Sequence, residues 1–364
     1  MELQTSIGVF SVALVATLLS MPLNIRLAVR YGIVDKPDPR RTHFRLTPRM
    51  GGLAFIVSAL LAIILFVPLD RVLLGFITGT LATLAVGAAD DIWQISPRLK
   101  MAGQIVAATA FVLVSGVSIS YFGNLFGTGN LGTGPLAVPF TVFAIVSVMN
   151  AINLTDGLDG LAGGVSEIAL LFLLYFAVLA EHVPVAYMTI AFIASILGFL
   201  YYNLFPARTF MGDAGSLTLG FVLSSLSVLL MFDGRAVPGV IQPITLALII
   251  CLPIMDTVSV MIRRLLKGQK LSDPDNRHLH HVLLSLNFSK WMTVRIIYLM
   301  MVGFGLLAIA LRGSVEWLQL LCGALLTGVV LYSSFLLQKS NFRVGHTGSN
   351  SAVADEAAPA KTTK

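Results

Sequence analysis

Four short polar runs interrupt an otherwise apolar sequence, and their residue types limit the chemistry they can do. The first reads Gly87-Ala-Ala-Asp90-Asp91-Ile-Trp-Gln-Ile-Ser-Pro-Arg98-Leu-Lys100. Adjacent carboxylates resist full ionisation together, so one of Asp90 and Asp91 can accept a proton if a metal or Lys100 settles the other. A solvated helix end looks the same, and the pair says little alone. The second run holds Asn150, Asn153, Asp156 and Asp159, each three residues from the last, followed by Gly160, Gly163 and Gly164. On a helix this spacing forms a polar stripe that can hold a cation or a sugar. The glycines expose backbone to the close approach of a flat ring. A glycine interruption merely capped by Asn and Asp is the plainer alternative. So many polar groups between apolar runs count against it.

The third run is Phe210-Met-Gly212-Asp213-Ala-Gly215-Ser216, at the opening of another apolar stretch. Asp213 is placed to N-cap a helix, or to bind Mg²⁺ where a helix N-terminus faces a phosphate, and the two roles compete for the same oxygens. The fourth begins at Arg263-Arg264 and continues as Asp273-Pro-Asp275-Asn-Arg277-His278-Leu-His280-His281. A structural zinc site wants four ligands, usually including thiolates, and no cysteine is near. Arg277 beside imidazole donors suits a diphosphate better, because guanidinium pairs phosphate oxygens bidentately. His43 and His182 have no companions in sequence and receive no role.

The elements that must position these runs are transmembrane helices. The chain has 364 residues, 56% hydrophobic and 12% charged, with a mean hydropathy of +0.87, far outside the range of soluble domains. Apolar runs near 6–28, 50–68, 72–89, 101–121, 136–153, 163–180, 184–205, 214–232, 239–261, 292–311 and 316–337 predict an all-α polytopic membrane protein of about eleven spans. The first run lacks a basic leader and a small-residue cleavage site, and reads as a retained span. Cys251 and Cys322 lie within apolar runs, which argues against a disulfide framework. The net charge of +6 is spread over short loops rather than one face, which excludes a nucleic-acid partner. With the C-terminus cytoplasmic and the N-terminus periplasmic, every Lys and Arg falls in or beside a cytoplasmic loop except Arg71, Arg235 and Arg312, in keeping with the positive-inside bias. Asp90, Asp91, Asp156, Asp159, Asp213 and Asp256 then share the cytoplasmic face. Gly127-Thr-Gly129-Asn-Leu-Gly132 spells a dinucleotide fingerprint, but no strand precedes it and no helix with an acidic residue follows. It reads as a turn or short hairpin. Residues 1–340 form the membrane domain, and the Ser-, Ala- and Thr-rich stretch 341–364 reads as a disordered tail.

In this order and at helix ends, the four runs resemble the polyprenyl-phosphate N-acetylhexosamine-1-phosphate transferase superfamily, over about Asp35 to His281. The His278–His281 block, with Lys36-Pro and the Pro48 to Gly52 stretch, looks like the bacterial undecaprenyl-phosphate N-acetylglucosamine-1-phosphate transferases. The sister pentapeptide transferases carry three consecutive histidines, a run that Leu279 interrupts here. The resemblance implies that Asp90 and Asp91 serve the acceptor phosphate, one of them as base, with Lys100 as a phosphate partner. Asn153 and Asp213 match Mg²⁺ ligands, with Mn²⁺ as a substitute, and oxygen donors suit such hard cations. Asp156 and Asp159 match residues essential in the family, near the nucleotide. Arg277, His278, His280 and His281 would border the diphosphate and sugar, and Asn150 joins the substrate-binding set. The implied reaction moves N-acetylglucosamine 1-phosphate, or a related N-acetylhexosamine 1-phosphate, from a UDP-sugar to undecaprenyl phosphate. It releases UMP and initiates lipid-linked cell-surface polysaccharide, such as O-antigen, in the bacterial inner membrane. A homodimer is left open. The rival reading is a secondary transporter, which also uses intramembrane carboxylates and glycine-interrupted helices. Transport wants polar groups near the midplane, whereas these gather at one face.

Overall fold

A computed structural model of the chain describes residues 1–35, 47–235, 241–266, 268, 278–330 and 332. The expectations for His43, Asp273, Asp275, Arg277 and the tail 341–364 therefore lie outside the described residues. In hydrocarbon every backbone polar group must be paired within its own segment, and the apolar runs meet that demand as helices. They are α1 (Leu3–Arg30), α2 (Gly51–Phe66), α3 (Arg71–Trp93), α4 (Pro97–Ser115), α5 (Ala137–Thr155), α6 (Leu161–Leu179), α7 (Val183–Asn203), α8 (Gly212–Phe232), α9 (Pro243–Ile249), α10 (Cys251–Leu266), α11 (Leu279–Ser285) and α12 (Lys290–Leu311), followed by α13 (Glu316–Val330). A two-residue antiparallel pair, β1 (Val34–Asp35) with β2 (Thr47–Pro48), sits between α1 and α2.

The all-α polytopic expectation holds, while the count of about eleven full spans is not confirmed. Among the described residues eight helices are long and apolar enough to cross a membrane, or nine if the bent pair α9–α10 counts as one. All eleven apolar runs do carry helix, but three fall short as single spans. Helix α2 has 16 residues, about 24 Å at 1.5 Å per residue against roughly 30 Å of hydrocarbon. It stops because Pro68 disfavours helical backbone at Val67, which is extended at φ −103°, ψ 128°. The α9–α10 run bends by 76° because Pro253 cannot donate to the carbonyl of Ile249 and its ring crowds that carbonyl. The third, α13, is short over its described part.

Helix α8 is the hub, with 89% of its apolar window buried against 22% for α1, and α2, α3, α5 and α6 pack on it. Small residues set how closely they come. A Cβ on Gly52 would lie 2.3 Å from Cα of Gly215, and one on Gly87 would lie 2.4 Å from the Asp213 carbonyl oxygen. Helices α2 and α3 therefore meet the first turn of α8 backbone to backbone, where the third polar run begins.

At the end of the bundle opposite that turn, the segment around Gly127 is the expected hairpin, closed by Phe122 N to Leu131 O (2.8 Å) and Leu131 N to Gly123 O (2.9 Å). The three arginines that break the charge bias all have partners there. Arg71 donates to the Val114 carbonyl (2.8 Å) at the end of α4, Arg235 pairs with Asp70 (2.9 Å) and with Asp233 (2.5 Å), and Arg312 donates to the Tyr175 hydroxyl (2.5 Å). His182 is corrected here too. It is buried, pairs through Nε2 with Asp233 (2.9 Å), and accepts through Nδ1 from Val185 N at the start of α7. Burial works against the Asp233 charge, but His182 and Arg235 outweigh it and hold the carboxyl below its usual range.

Candidate active site

The residues of the first three runs converge on one ammonium. Helix α3 ends with Asp90 in its last turn, and α4 restarts after Ser96, whose hydroxyl caps it, with Pro97 in the first turn. This brings Lys100 back toward Asp90. Lys100 Nζ reaches Asp90 Oδ2 (3.0 Å), Asp213 Oδ2 (2.5 Å) and Asn153 Oδ1 (3.4 Å). An ammonium has three donors, and three oxygens from α3, α5 and α8 receive them. The Asn153 amide is fixed from behind, with Nδ2 donating to Asp213 Oδ1 and to Ser216 Oγ, each at 2.8 Å. That orientation turns Oδ1 toward Lys100.

This arrangement tests whether a divalent cation fits. Two carboxylates and one amide oxygen surround a positive charge, an all-oxygen set of the kind Mg²⁺ takes, leaving further positions for water or phosphate. The donor set would suit such an ion, with Asp90 beside the expected pair Asn153 and Asp213 and the Lys100 ammonium held among the same oxygens.

The neighbouring carboxylates divide their work differently from the sequence reading. Asp213 does not cap α8, because it lies in the helix's first turn and Met211 holds the N-cap position. The cap comes from across the bundle. Asp91, its side chain fully buried, accepts from Asp213 N and Ala214 N, both at 2.9 Å. Both Asp91 oxygens are thereby committed to backbone, at the positive end of the α8 dipole. The helical stripe is also corrected. Helix α5 stops at Thr155, and Asp156 to Gly160 form a turn with Gly160 at φ +77°, a value that favours glycine. Asp156 and Asp159 consequently lie off the helical stripe, in the turn between α5 and α6. Asp159 accepts from Ala207 N (3.0 Å). Asp156, half-buried, makes no side-chain hydrogen bond among the described residues, and burial followed by nearby Asp213 pushes its carboxyl up to about 7. Asn150 is held by Gln104 of α4 (2.6 Å) and lies outside the Lys100 cluster.

The histidines close one side. Asp256 of α10 pairs with His278 Nδ1 (2.9 Å) and accepts from Leu279 N (2.8 Å), anchoring the start of α11. The His278 and His280 rings are parallel to within 7° at 6.0 Å, and His281 leans on His280 at 4.2 Å. His280 Nε2 points at Gly157, where a Cβ would come within 2.4 Å. Burial, then His281 and His278, lower the His280 pKa to about 3, so this ring is a neutral neighbour of the Asp156 turn.

Sequence reasoning missed Arg49, Gln104 and the anchoring role of Asp256. Arg49 comes from the link before α2 and sets its guanidinium 3.9 Å from Asp91. It also missed an apolar groove of about 450 Å³ between α5, α8 and the bent pair, lined among others by Phe143, Val148, Ile254 and Val258. The groove reaches Val148, about 7.5 Å along α5 from Asn153 by helical rise.

Residues 73–231 match the family model described as glycosyl transferase family 4. Over 312 residues the chain is 37% identical to a probable undecaprenyl-phosphate N-acetylglucosaminyl 1-phosphate transferase of Bacillus subtilis, covering 85% of this chain and 86% of that protein. It is 31% identical over 275 residues to an undecaprenyl-phosphate alpha-N-acetylglucosaminyl 1-phosphate transferase of Yersinia pestis, covering 72% and 73% of the two chains. A decaprenyl-phosphate N-acetylglucosaminephosphotransferase of Mycolicibacterium smegmatis is 32% identical over 302 residues, covering 75% and 74%.

Proposed function

The chain belongs to glycosyl transferase family 4, the polyprenyl-phosphate N-acetylhexosamine-1-phosphate transferases, and from that premise we propose that it transfers N-acetylglucosamine 1-phosphate from its UDP-sugar to undecaprenyl phosphate. The observation that carries this reading is the convergence of Asp90, Asn153 and Asp213 on Lys100, with an apolar groove that starts near Val148 and runs toward the far end of the bundle. A charge-handling site at one end of an apolar groove suits a reaction between a water-soluble donor and a membrane-held acceptor.

In the proposed mechanism an acceptor phosphate oxygen attacks the sugar-linked phosphorus, and the leaving phosphate departs as UMP. Such chemistry is mainly positioning and charge neutralisation and needs no covalent nucleophile. Bound Mg²⁺ would supply charge stabilisation at the transferring phosphoryl group. Lys100, displaced from the three oxygens, would pair with phosphate. Asp91 keeps the α8 start in place, so Asp213 is presented at a fixed angle. The groove wall formed by α5 and α10 would receive the isoprenoid chain while the His278–His281 segment bounds the donor side. The activity is tested with purified protein, undecaprenyl phosphate, Mg²⁺ and a panel of UDP-sugars. UMP release with UDP-N-acetylglucosamine, and trapping of the sugar in solvent-extractable lipid, are expected. Failure with every UDP-sugar would refute the assignment.

Direct attack makes a further prediction. Labelled UMP should exchange into the UDP-sugar only when the carrier is present, since one diphosphate linkage replaces another and the step is reversible. A covalent Asp-phosphosugar intermediate would allow exchange without carrier. Robust exchange in lipid-stripped enzyme would rule out single displacement.

We also place the site at the cytoplasmic face of the bacterial inner membrane, with the N-terminus periplasmic, on the Lys and Arg distribution. In a background lacking Cys251 and Cys322, Gly129→Cys should react with an impermeant thiol reagent in intact cells and Ser272→Cys should not. The reverse pattern would invert the topology.

A further inference from the structure

The carboxylates gathered here repel an anionic donor, so the site needs cationic donors that are still open. Lys100 is held by three oxygens and would turn to phosphate only on release from them, whereas Arg49 has no such bonds to give up. Its side chain is one-third exposed and its nearest anionic partner, Asp91 Oδ1, lies at 3.9 Å, beyond hydrogen-bond reach. Among the described residues its guanidinium makes no hydrogen bond, leaving five donors in a planar fork. Its charge acts on Asp156 as well as on Asp91.

The backbone beneath this side chain is fixed on both sides. Arg49 N donates to Ile33 O (3.2 Å), and β2 pairs with β1. On the other flank Phe210 N donates to Pro48 O (2.7 Å), Gly51 N to Phe210 O (2.9 Å) and Gly52 N to Met211 O (3.0 Å). The Arg49 carbonyl packs against Gly212, where a Cβ would come within 2.1 Å. The residue is thus mounted directly beside the start of α8, with a rigid base and a tip that makes no hydrogen bond among the described residues. Such mounting lowers the ordering cost of binding an anion.

We propose that Arg49 is a phosphate-binding residue of this site, its guanidinium taking non-bridging oxygens of the donor diphosphate or of the polyprenyl phosphate. The proposal rests on the transferase reading for its choice of ligands, but not for its test. The purified full-length protein is titrated calorimetrically with inorganic diphosphate in Mg²⁺ buffer. Arg49→Gln is expected to weaken binding about tenfold or more, since it removes a charged bidentate contact. Arg49→Lys, which keeps the charge and loses the fork, should fall between. Steady-state transfer then identifies the source. A rise in KM confined to the UDP-sugar assigns Arg49 to the donor, and one confined to the carrier assigns it to the acceptor phosphate. The unfolding temperature of Arg49→Gln should match wild type, and if that variant does not fold, Arg49→Lys carries the comparison. The proposal is overturned if wild type does not bind diphosphate, or if the folded variants bind it within twofold of wild type. Wild type that binds diphosphate but transfers from no UDP-sugar would instead refute the function while leaving Arg49 as an anion site.

Discussion

Replacing Asp213 by Asn is expected to lower kcat on the order of 10²- to 10³-fold, the scale seen when one preorganised electrostatic group is removed from a reacting centre, while leaving the protein folded. The reason lies in the division of labour around α8. Asp213 gives its side-chain oxygens to Lys100 and Asn153, and the helix start is held by a different residue. Asparagine keeps the shape and one oxygen but removes the charge that a cation at this position needs. The variant should also require more Mg²⁺ for half-maximal rate. Steady-state assays across a Mg²⁺ series, alongside a thermal unfolding curve, check both parts. Near-normal turnover at limiting Mg²⁺ would remove Asp213 from the cation site.

Asp91→Ala should do the opposite, damaging the fold before the chemistry. The carboxylate is fully buried and answers two backbone donors at 2.9 Å. Truncation strands both amides in a site with no solvent to replace them, at about 1–3 kcal/mol each. A total of roughly 2–6 kcal/mol follows, a large share of ordinary domain stability. Asp91→Asn should recover only part of this, because its amide has one acceptor oxygen for two N–H groups. Unfolding of detergent-solubilised variants should therefore rank wild type and Asp213→Asn together, Asp91→Asn lower and Asp91→Ala lowest. If Asp91→Ala unfolded with wild type, the α8 start would have to be held by something other than this carboxylate.

Much of the membrane architecture was legible in the sequence, because an apolar run of helical length has few alternatives in a bilayer. Its lengths were less so. Pro68 and Pro253 were visible, but hydropathy averages over them, and the shortened α2 and bent α9–α10 follow from local backbone sterics instead. The meeting of Asp90, Lys100, Asn153 and Asp213 was foreshadowed by their positions at helix ends. How Asp90 and Asp91 differ was not. Neighbours on a helix point about 100° apart, so an acidic pair that looks like a unit in sequence sends one member to the ammonium and the other to a distant helix start. The helical stripe did not extend to Asp156 and Asp159 for a related reason, since three-residue spacing stacks side chains only while the helix continues, and this one stops at Thr155. The partners of His182 and the placement of Arg49 depend on contacts across the bundle that no local pattern encodes.

The bend at Ile250 bears on kinetics. Phe143 and Leu320, both exposed, line the groove beside the bent pair, which leaves that groove open sideways to surrounding lipid. A carrier arriving by two-dimensional diffusion in the leaflet would enter along it, whereas a nucleotide sugar would arrive from water past the histidines. Two portals set at an angle impose no queue. With neither ligand blocking the other's route, rate plots at several fixed concentrations of the second substrate would intersect, as any ternary-complex mechanism requires, and each substrate would bind measurably in the absence of the other.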